Sequence, residues 1–467
     1  MNIARRMAIA ITLTALTVLT SVLPAQAAST LQIWSTSSSS QWVAAVLDPK
    51  VAINGNVQAV AWISRTSRDS HNLNVRVSRD GTWGAVETLT NSEWDWWNAF
   101  DVQITNSGKV YVGYSSGDVN LTVYVSSVAN TWTNSVVDSS FSGLGAVKMS
   151  GVTNGSVVTF TTNRAATNRE ITLSSHTFDE ANSGAGWTNN TVRPFTTADF
   201  STCTIRSSYY DSCAVNLDHA QIAIAQDGSQ VLFIIGTRIS SSGNPPGMQF
   251  KLFKFHRSSP TSEWVFGGAS TTLTLGKSDS GYSFFLSKIA TTPSGKFAAA
   301  LVTGTTKTPN RLRLFTGSTF ASTPTTTDTS ALAKFRNTDL PTLVAVGEDI
   351  YTSFDANQGT HKFGKVGSLA STIRTMTGVK STQDVKNLLH VNGKIVAVIN
   401  SPRTATYIST CTLTASICRW SGSVKVLSYA QYNSFSDGPA ATDGTKYLIV
   451  QPKLSKFRQI ALYSYSN

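Results

Sequence analysis

Short apolar runs broken by glycine-bearing turns recur along most of the chain. The unit is an apolar run, a Gly/Asn/Asp turn and a second β-rich run. VAINGNVQAVAWI, VQITNSGKVYVGY, MSGVTNGSVVTFTT and IAIAQDGSQVLFII are followed by KIATTPSGKFAAALV, TLVAVGEDIYTSF, LLHVNGKIVAVIN and AATDGTKYLIVQ, eight copies in all. The turn glycines are Gly55, Gly108, Gly155, Gly228, Gly295, Gly347, Gly393 and Gly444, at intervals of 53, 47, 73, 67, 52, 46 and 51 residues. Asn-Gly and Asp-Gly turns between β-rich runs are strong hairpin signals. A third apolar run follows many of the hairpins, as in NLNVRVS, NLTVYVS, QFKLFKF, NRLRLFT and QIALYSY, and a weaker fourth run often carries a Trp or Val.

Four strands every 45–75 residues is the spacing of a β-propeller blade, and helical periodicity is nearly absent. The pattern predicts an all-β fold: one propeller of eight four-stranded blades, or seven if two copies merge. A pair of β-sandwiches is disfavoured because sandwiches do not repeat at this period. The last copy, from Gly438, holds only three strands before the chain stops at Asn467, while LQIW and QWVAAVL supply a spare β segment near the N-terminus. Pairing that segment with the last blade would close the ring and remove an exposed edge.

Residues 1–27 read as a secretory signal peptide, leaving 28–467 as the propeller domain. Arg5 and Arg6 precede the apolar stretch Met7–Leu23, and Ala25-Gln26-Ala27 fits a cleavage site. No other stretch is apolar enough to span a bilayer. The expected location is therefore extracellular. There, Cys203 with Cys213 and Cys411 with Cys418 read as two short-loop disulfides, each contributing about 2–3 kcal/mol in the chain-entropy model. Neither spacing suits zinc, and neither a metal nor a cofactor is expected. The formal charge is +12, or +10 without Arg5 and Arg6, yet only 14% of residues are charged. A hydroxyl-rich surface with a basic bias attracts anionic polymers, while the absence of any Lys/Arg run argues against nucleic acid. A monomer is expected.

In a propeller the turns joining first to second and third to fourth strands share one end. Loops joining second to third strands, and crossings between blades, share the other. The crossings carry Trp94, Asp95 and Trp97; Tyr209, Tyr210 and Asp211; Asp279 and Tyr282; Arg336 and Asp339; Asp384; and Tyr432 with Asp437. The loops add Arg65, Arg68, Arg164, Arg169, Arg238, Lys307, Arg311 and Arg403. Aromatic rings stack on sugar C–H faces while flanking charges bind hydroxyls. The ligand-binding candidates are Trp94, Asp95, Trp97, Tyr209, Tyr210, Asp211, Arg336 and Asp339.

At the opposite end, Ser78-x-Asp80-Gly81-x-Trp83 resembles the Asp-box hairpin of the sialidase-like propellers, one residue shorter than the family pattern. The resemblance covers one blade, NLNVRVSRDGTWGAVETLT. It implies structural roles: Asp80 capping N–H groups of its own turn and Trp83 packing into the blade. It carries over no catalytic residue. There is no F-R-I-P start, Arg336 in KFRNTDLP is its nearest echo, and the chain holds only six Glu. Three readings follow: a secreted propeller binding glycan or another anionic extracellular polymer, a sialidase-like glycoside hydrolase, and a non-catalytic wall-associated scaffold or adhesion protein.

Overall fold

The computed structural model describes residues 28–35, 46–66, 70–93, 99–115, 121–138, 147–151, 156–164, 171–195, 215–225, 229–239, 247–259, 262–267, 271–273, 286–303, 311–320, 322–328, 341–356, 360–401, 405–414, 417–428, 440–452 and 459–466. Their strands form eight antiparallel sheets, and their helical elements are the short segments Glu180–Ala185 and Leu369–Thr372. Blade 1 shows the pattern. Val46–Asn54, Val57–Arg65 and Ser70–Arg79 pair in sequence, and Thr82–Trp83 and Glu87–Glu93 both pair with the third strand. Blade 8 is closed from the N-terminus. Ala28–Ser35 lies antiparallel to Gln459–Ser466, register Ala28 to Ser466, and completes the sheet begun by Ala440–Thr442 and Tyr447–Pro452. The fold is an all-β propeller, and the strands of the described residues fall into eight antiparallel sheets.

The apolar runs are nearly continuous because each second strand is covered on both faces. In blade 1, Ala59, Ala61 and Ile63 pack against Val110, Val112 and Tyr114 of blade 2. The alternate residues Val60 and Trp62 pack against Leu448, Val450, Ile460 and Leu462 of blade 8. Period-two alternation thus serves two different interfaces. Similar apolar clusters join blades 2–3, 4–5, 5–6, 6–7 and 7–8. Between blades 3 and 4, an Arg257 guanidinium nitrogen donates to Thr177 Oγ1 at 3.4 Å.

The hairpin glycines earn their spacing through backbone geometry. Gly55, Gly108, Gly295, Gly347, Gly393 and Gly444 all have φ between +55° and +91°, where a Cβ is strained. Asn392-Gly393 and Asp80-Gly81 take positive φ at both residues, the mirror-image turn that matches strand twist. The Cys411–Cys418 disulfide clasps the outer strands of blade 7, and both sulfurs' residues are buried in the apolar cluster shared with blade 6. Cys203 and Cys213 lie outside the described residues.

Candidate functional site

Each blade's first strand runs toward a glycine turn, so strand order gives the ring a turn end and a loop end. The turn end is a girdle of hydrogen bonds between neighbouring blades. Asn54 Nδ2 donates to Asn106 Oδ1 at 3.1 Å between blades 1 and 2. Thr292 Oγ1 donates to Glu348 at 3.0 Å between blades 5 and 6, where Ser294 Oγ also donates to that carboxylate. Asn392 Nδ2 donates to the Thr445 carbonyl at 2.9 Å, and Lys446 Nζ to Asn56 Oδ1 at 3.0 Å, tying blade 7 to 8 and 8 to 1. Between blades 2 and 3, the Tyr111 hydroxyl donates to Glu180 Oε1 at 2.7 Å and Thr105 Oγ1 to the same oxygen at 3.0 Å. Burial first, and then the Glu180 carboxylate, push the Tyr111 phenol far above its ordinary range. It therefore stays protonated and remains a donor.

The Ser78–Trp83 hairpin belongs to this girdle; Trp83 packs against the blade as expected, but Asp80 acts differently from the Asp-box expectation. The Asp80 carboxylate accepts from Asn56 Nδ2 at 3.0 Å, joining its turn to the neighbouring turn of the same blade. Ser78 is buried, and its hydroxyl has no hydrogen-bond partner. Trp83 is half-buried against the cluster shared by blades 1 and 8. The tie to the next blade comes from Arg79. Its guanidinium donates to Asn130 Oδ1 at 2.8 Å, the Gly108 carbonyl at 2.7 Å, the Ser127 carbonyl at 2.9 Å and Ser126 Oγ at 3.2 Å. No spacing rule singles out Arg79, because its acceptors lie 29–51 residues away.

The sequence assigns its candidate binding residues to the loop end. Trp94, Asp95, Trp97, Tyr209, Tyr210, Asp211, Arg336 and Asp339 lie outside the described residues, as do Asp279, Tyr282, Tyr432 and Asp437. The strands that flank them are described. Glu93 and Ala99 bound the first crossing, and Phe195 and Val215 bound the crossing that contains Tyr209. Arg65, Arg164, Arg238 and Arg311 occupy loop-end strand positions in blades 1, 3, 4 and 5. Asp384 opens the inner strand of blade 7, 3.4 Å from the buried Lys386 ammonium.

Beneath this end runs a buried polar belt that the sequence reading did not single out. His71, fully buried, shares a 2.6 Å hydrogen bond from Nε2 with the Tyr114 hydroxyl of blade 2. In blade 6, His361 occupies the corresponding place at the start of the third strand, opposite Asp355, and both are buried. Asp101 is held by the N–H groups of Val102 at 3.1 Å and of Met149, in blade 3, at 2.8 Å. Asp and His interrupting otherwise apolar strands, as in SFDANQGTHKF, were the available signal. Among the described residues no group of three or more His, Cys, Asp or Glu could hold a metal ion. Likewise, among them no helix is long and apolar enough to cross a membrane.

No protein-family model and no curated protein matches the sequence. Among solved structures the chain is similar to Sqt1 from Chaetomium thermophilum, with TM-score 0.51, 10% identity, 90% of this chain and 95% of that chain covered. It also matches a PL25 polysaccharide lyase, an ulvan lyase bound to -[GlcA(1-4)Rha3S]-, with TM-score 0.49, 9% identity and coverage of 92% and 95%. A third match is an α-L-arabinofuranosidase from Fusarium graminearum, with TM-score 0.39, 8% identity and coverage of 79% and 92%. At these identities the likeness is one of fold.

Proposed function

We propose that the chain is an exported propeller that binds extracellular glycan or another anionic polymer through its loop end. The observation that carries the reading is the segregation of residue types between the two ends. The turn end is knitted together by side chains that satisfy one another across blades. Arginines stand at loop-end strand termini, and the sequence puts Trp94, Trp97, Tyr209 and Tyr210 in the segments that join successive blades. Rings supply stacking area, and arginines supply paired donors for carboxylate, sulfate or hydroxyl groups. The polysaccharide lyase and the α-L-arabinofuranosidase that share the fold are glycan-active proteins.

The test is affinity electrophoresis against a panel of extracellular polysaccharides. Trp97→Ala is expected to weaken retention at least tenfold, since losing one stacked anchor costs on the order of 1–3 kcal/mol, while thermal stability is unchanged. Unaltered retention, or unfolding of the variant, would show that the indole packs and does not bind.

A further inference from the structure

A buried carboxylate oxygen at the loop end has no donor. In blade 6 the second strand, Asp349–Ala356, runs toward that end, and Asp355 is its penultimate residue. Tyr351 stacks on Phe363 with centroids 5.5 Å apart, and both belong to the apolar cluster shared with blade 7. Alternation carries Ser353 and Asp355 to the same face as Tyr351, so Asp355 faces blade 7. It is 4% exposed, and its Oδ1 has no hydrogen-bond partner.

The polar groups around it are committed elsewhere. Ser353 Oγ shares a 2.5 Å hydrogen bond with Thr342 Oγ1. Lys386 is paired with Asp384 at 3.4 Å. His361 stands opposite Asp355 in register and is 3% exposed, with Nε2 2.5 Å from the Gln383 carbonyl. A carbonyl can only accept, so Nε2 carries the hydrogen and is committed to Gln383. The two residues are opposed in register, with Cβ atoms about 5 Å apart in such a pair, and the Asp355 Oδ1 receives no hydrogen bond. An unmet buried acceptor destabilises a fold, and a ligand that brings the donor is one reason for a fold to retain it.

We propose that Asp355 is a subsite for a neutral sugar unit, its unmet oxygen accepting a hydroxyl donor from a diol bound at the loop end between blades 6 and 7. The proposal rests on the glycan-binding reading and names what this part of the site recognises. A carboxylate repels uronate and sulfate groups, so an anionic unit of the same polymer is left to the blades that carry Arg65, Arg164, Arg238 and Arg311.

The experiment titrates the full chain and its Asp355→Asn variant with xylan, mannan, arabinan and polygalacturonate, and records the melting temperature of each protein. Asp355→Asn keeps the volume but replaces one acceptor with a donor. The expected result is at least a tenfold loss of affinity for the neutral polymer that the wild type binds. Polygalacturonate binding should stay within twofold, and the melting temperature should be equal or higher. Unchanged affinity for every polymer, wild-type binding confined to polygalacturonate, or a clearly lowered melting temperature each overturns the subsite. A wild type that binds none of the four polymers defeats the glycan reading itself, and the subsite with it.

Discussion

The structure predicts that Arg79, and not Asp80, holds the third-to-fourth-strand hairpin of blade 1 to its neighbours. Arg79→Ala removes four hydrogen bonds that its guanidinium donates to blade 2, accepted by Asn130, Gly108, Ser126 and Ser127. Hydrogen bonds involving a charged partner contribute about 1.5–3 kcal/mol each when the partner is left dry. Here the site is only half-buried and the acceptors regain water, so about 2 kcal/mol for the whole residue is the reasonable figure. Unfolding entropy near about 2.1 cal/mol/K per residue gives ~0.9 kcal/mol/K for a cooperative domain of about 430 residues, so the melting temperature should fall by about 2 °C. Asp80→Asn keeps the tolerance for φ of +49° and an oxygen that can accept from Asn56, so its cost should stay below about 0.5 kcal/mol. Arg79→Lys should fall between, because an ammonium cannot reproduce the planar fork. Differential scanning calorimetry of the three variants at one pH decides it. An Asp80→Asn cost equal to or above that of Arg79→Ala would refute the reasoning and restore the Asp-box role.

Other substitutions probe the remaining ties. Replacing Cys411 and Cys418 together with Ala should cost about 2.5 kcal/mol in the chain-entropy model for so short a loop, read as a lowered urea midpoint. Tyr111→Phe should cost about 1.5–3 kcal/mol, because the Glu180 carboxylate loses a 2.7 Å donor, again read by urea unfolding. Trp62→Ala, emptying a fully buried position between blades 1 and 8, should cost about 3–5 kcal/mol. Hydrogen bonds from Ser294 foremost, then from Thr292, with the nearby Lys296 charge, hold the Glu348 carboxyl below its ordinary value of 4.5. A depressed folded-state value means a contribution fully present above about pH 4.5 and lost as pH falls through the lower folded value. Melting curves from pH 6 down to 3 should accordingly show a shallower acid decline for Glu348→Gln than for the wild type.

The repeating sheets and the ring closure were legible because they follow from local chemistry. A turn residue at φ +72°, as at Gly393, must be glycine or nearly so. A second strand covered on both faces, such as Val57–Arg65, must be apolar almost throughout. The three-stranded final copy needed an outer strand, and Ala28–Ser35 supplies it. The contacts between blades were not legible. Tyr111 meets Glu180 across 69 residues, and Arg79 reaches Asn130 across 51. The repeat period fixes pairing within a blade but says nothing about which side chains meet between blades. Asp355 was missed for the same reason: its strand reads as core, and only the unmet oxygen marks it. The aromatic crossings were legible as composition, which identifies a kind of surface without fixing how its side chains converge.

The central claim is that the loop end binds and the turn end does not. Amide hydrogen exchange, followed by mass spectrometry with and without a saturating polysaccharide, tests it directly. Binding should slow exchange in peptides containing residues 94–98, 209–211 and 336–339, leaving those around Gly55, Asp80 and Gly347 unchanged. Protection at the turn-end peptides, with none at the crossings, would contradict it.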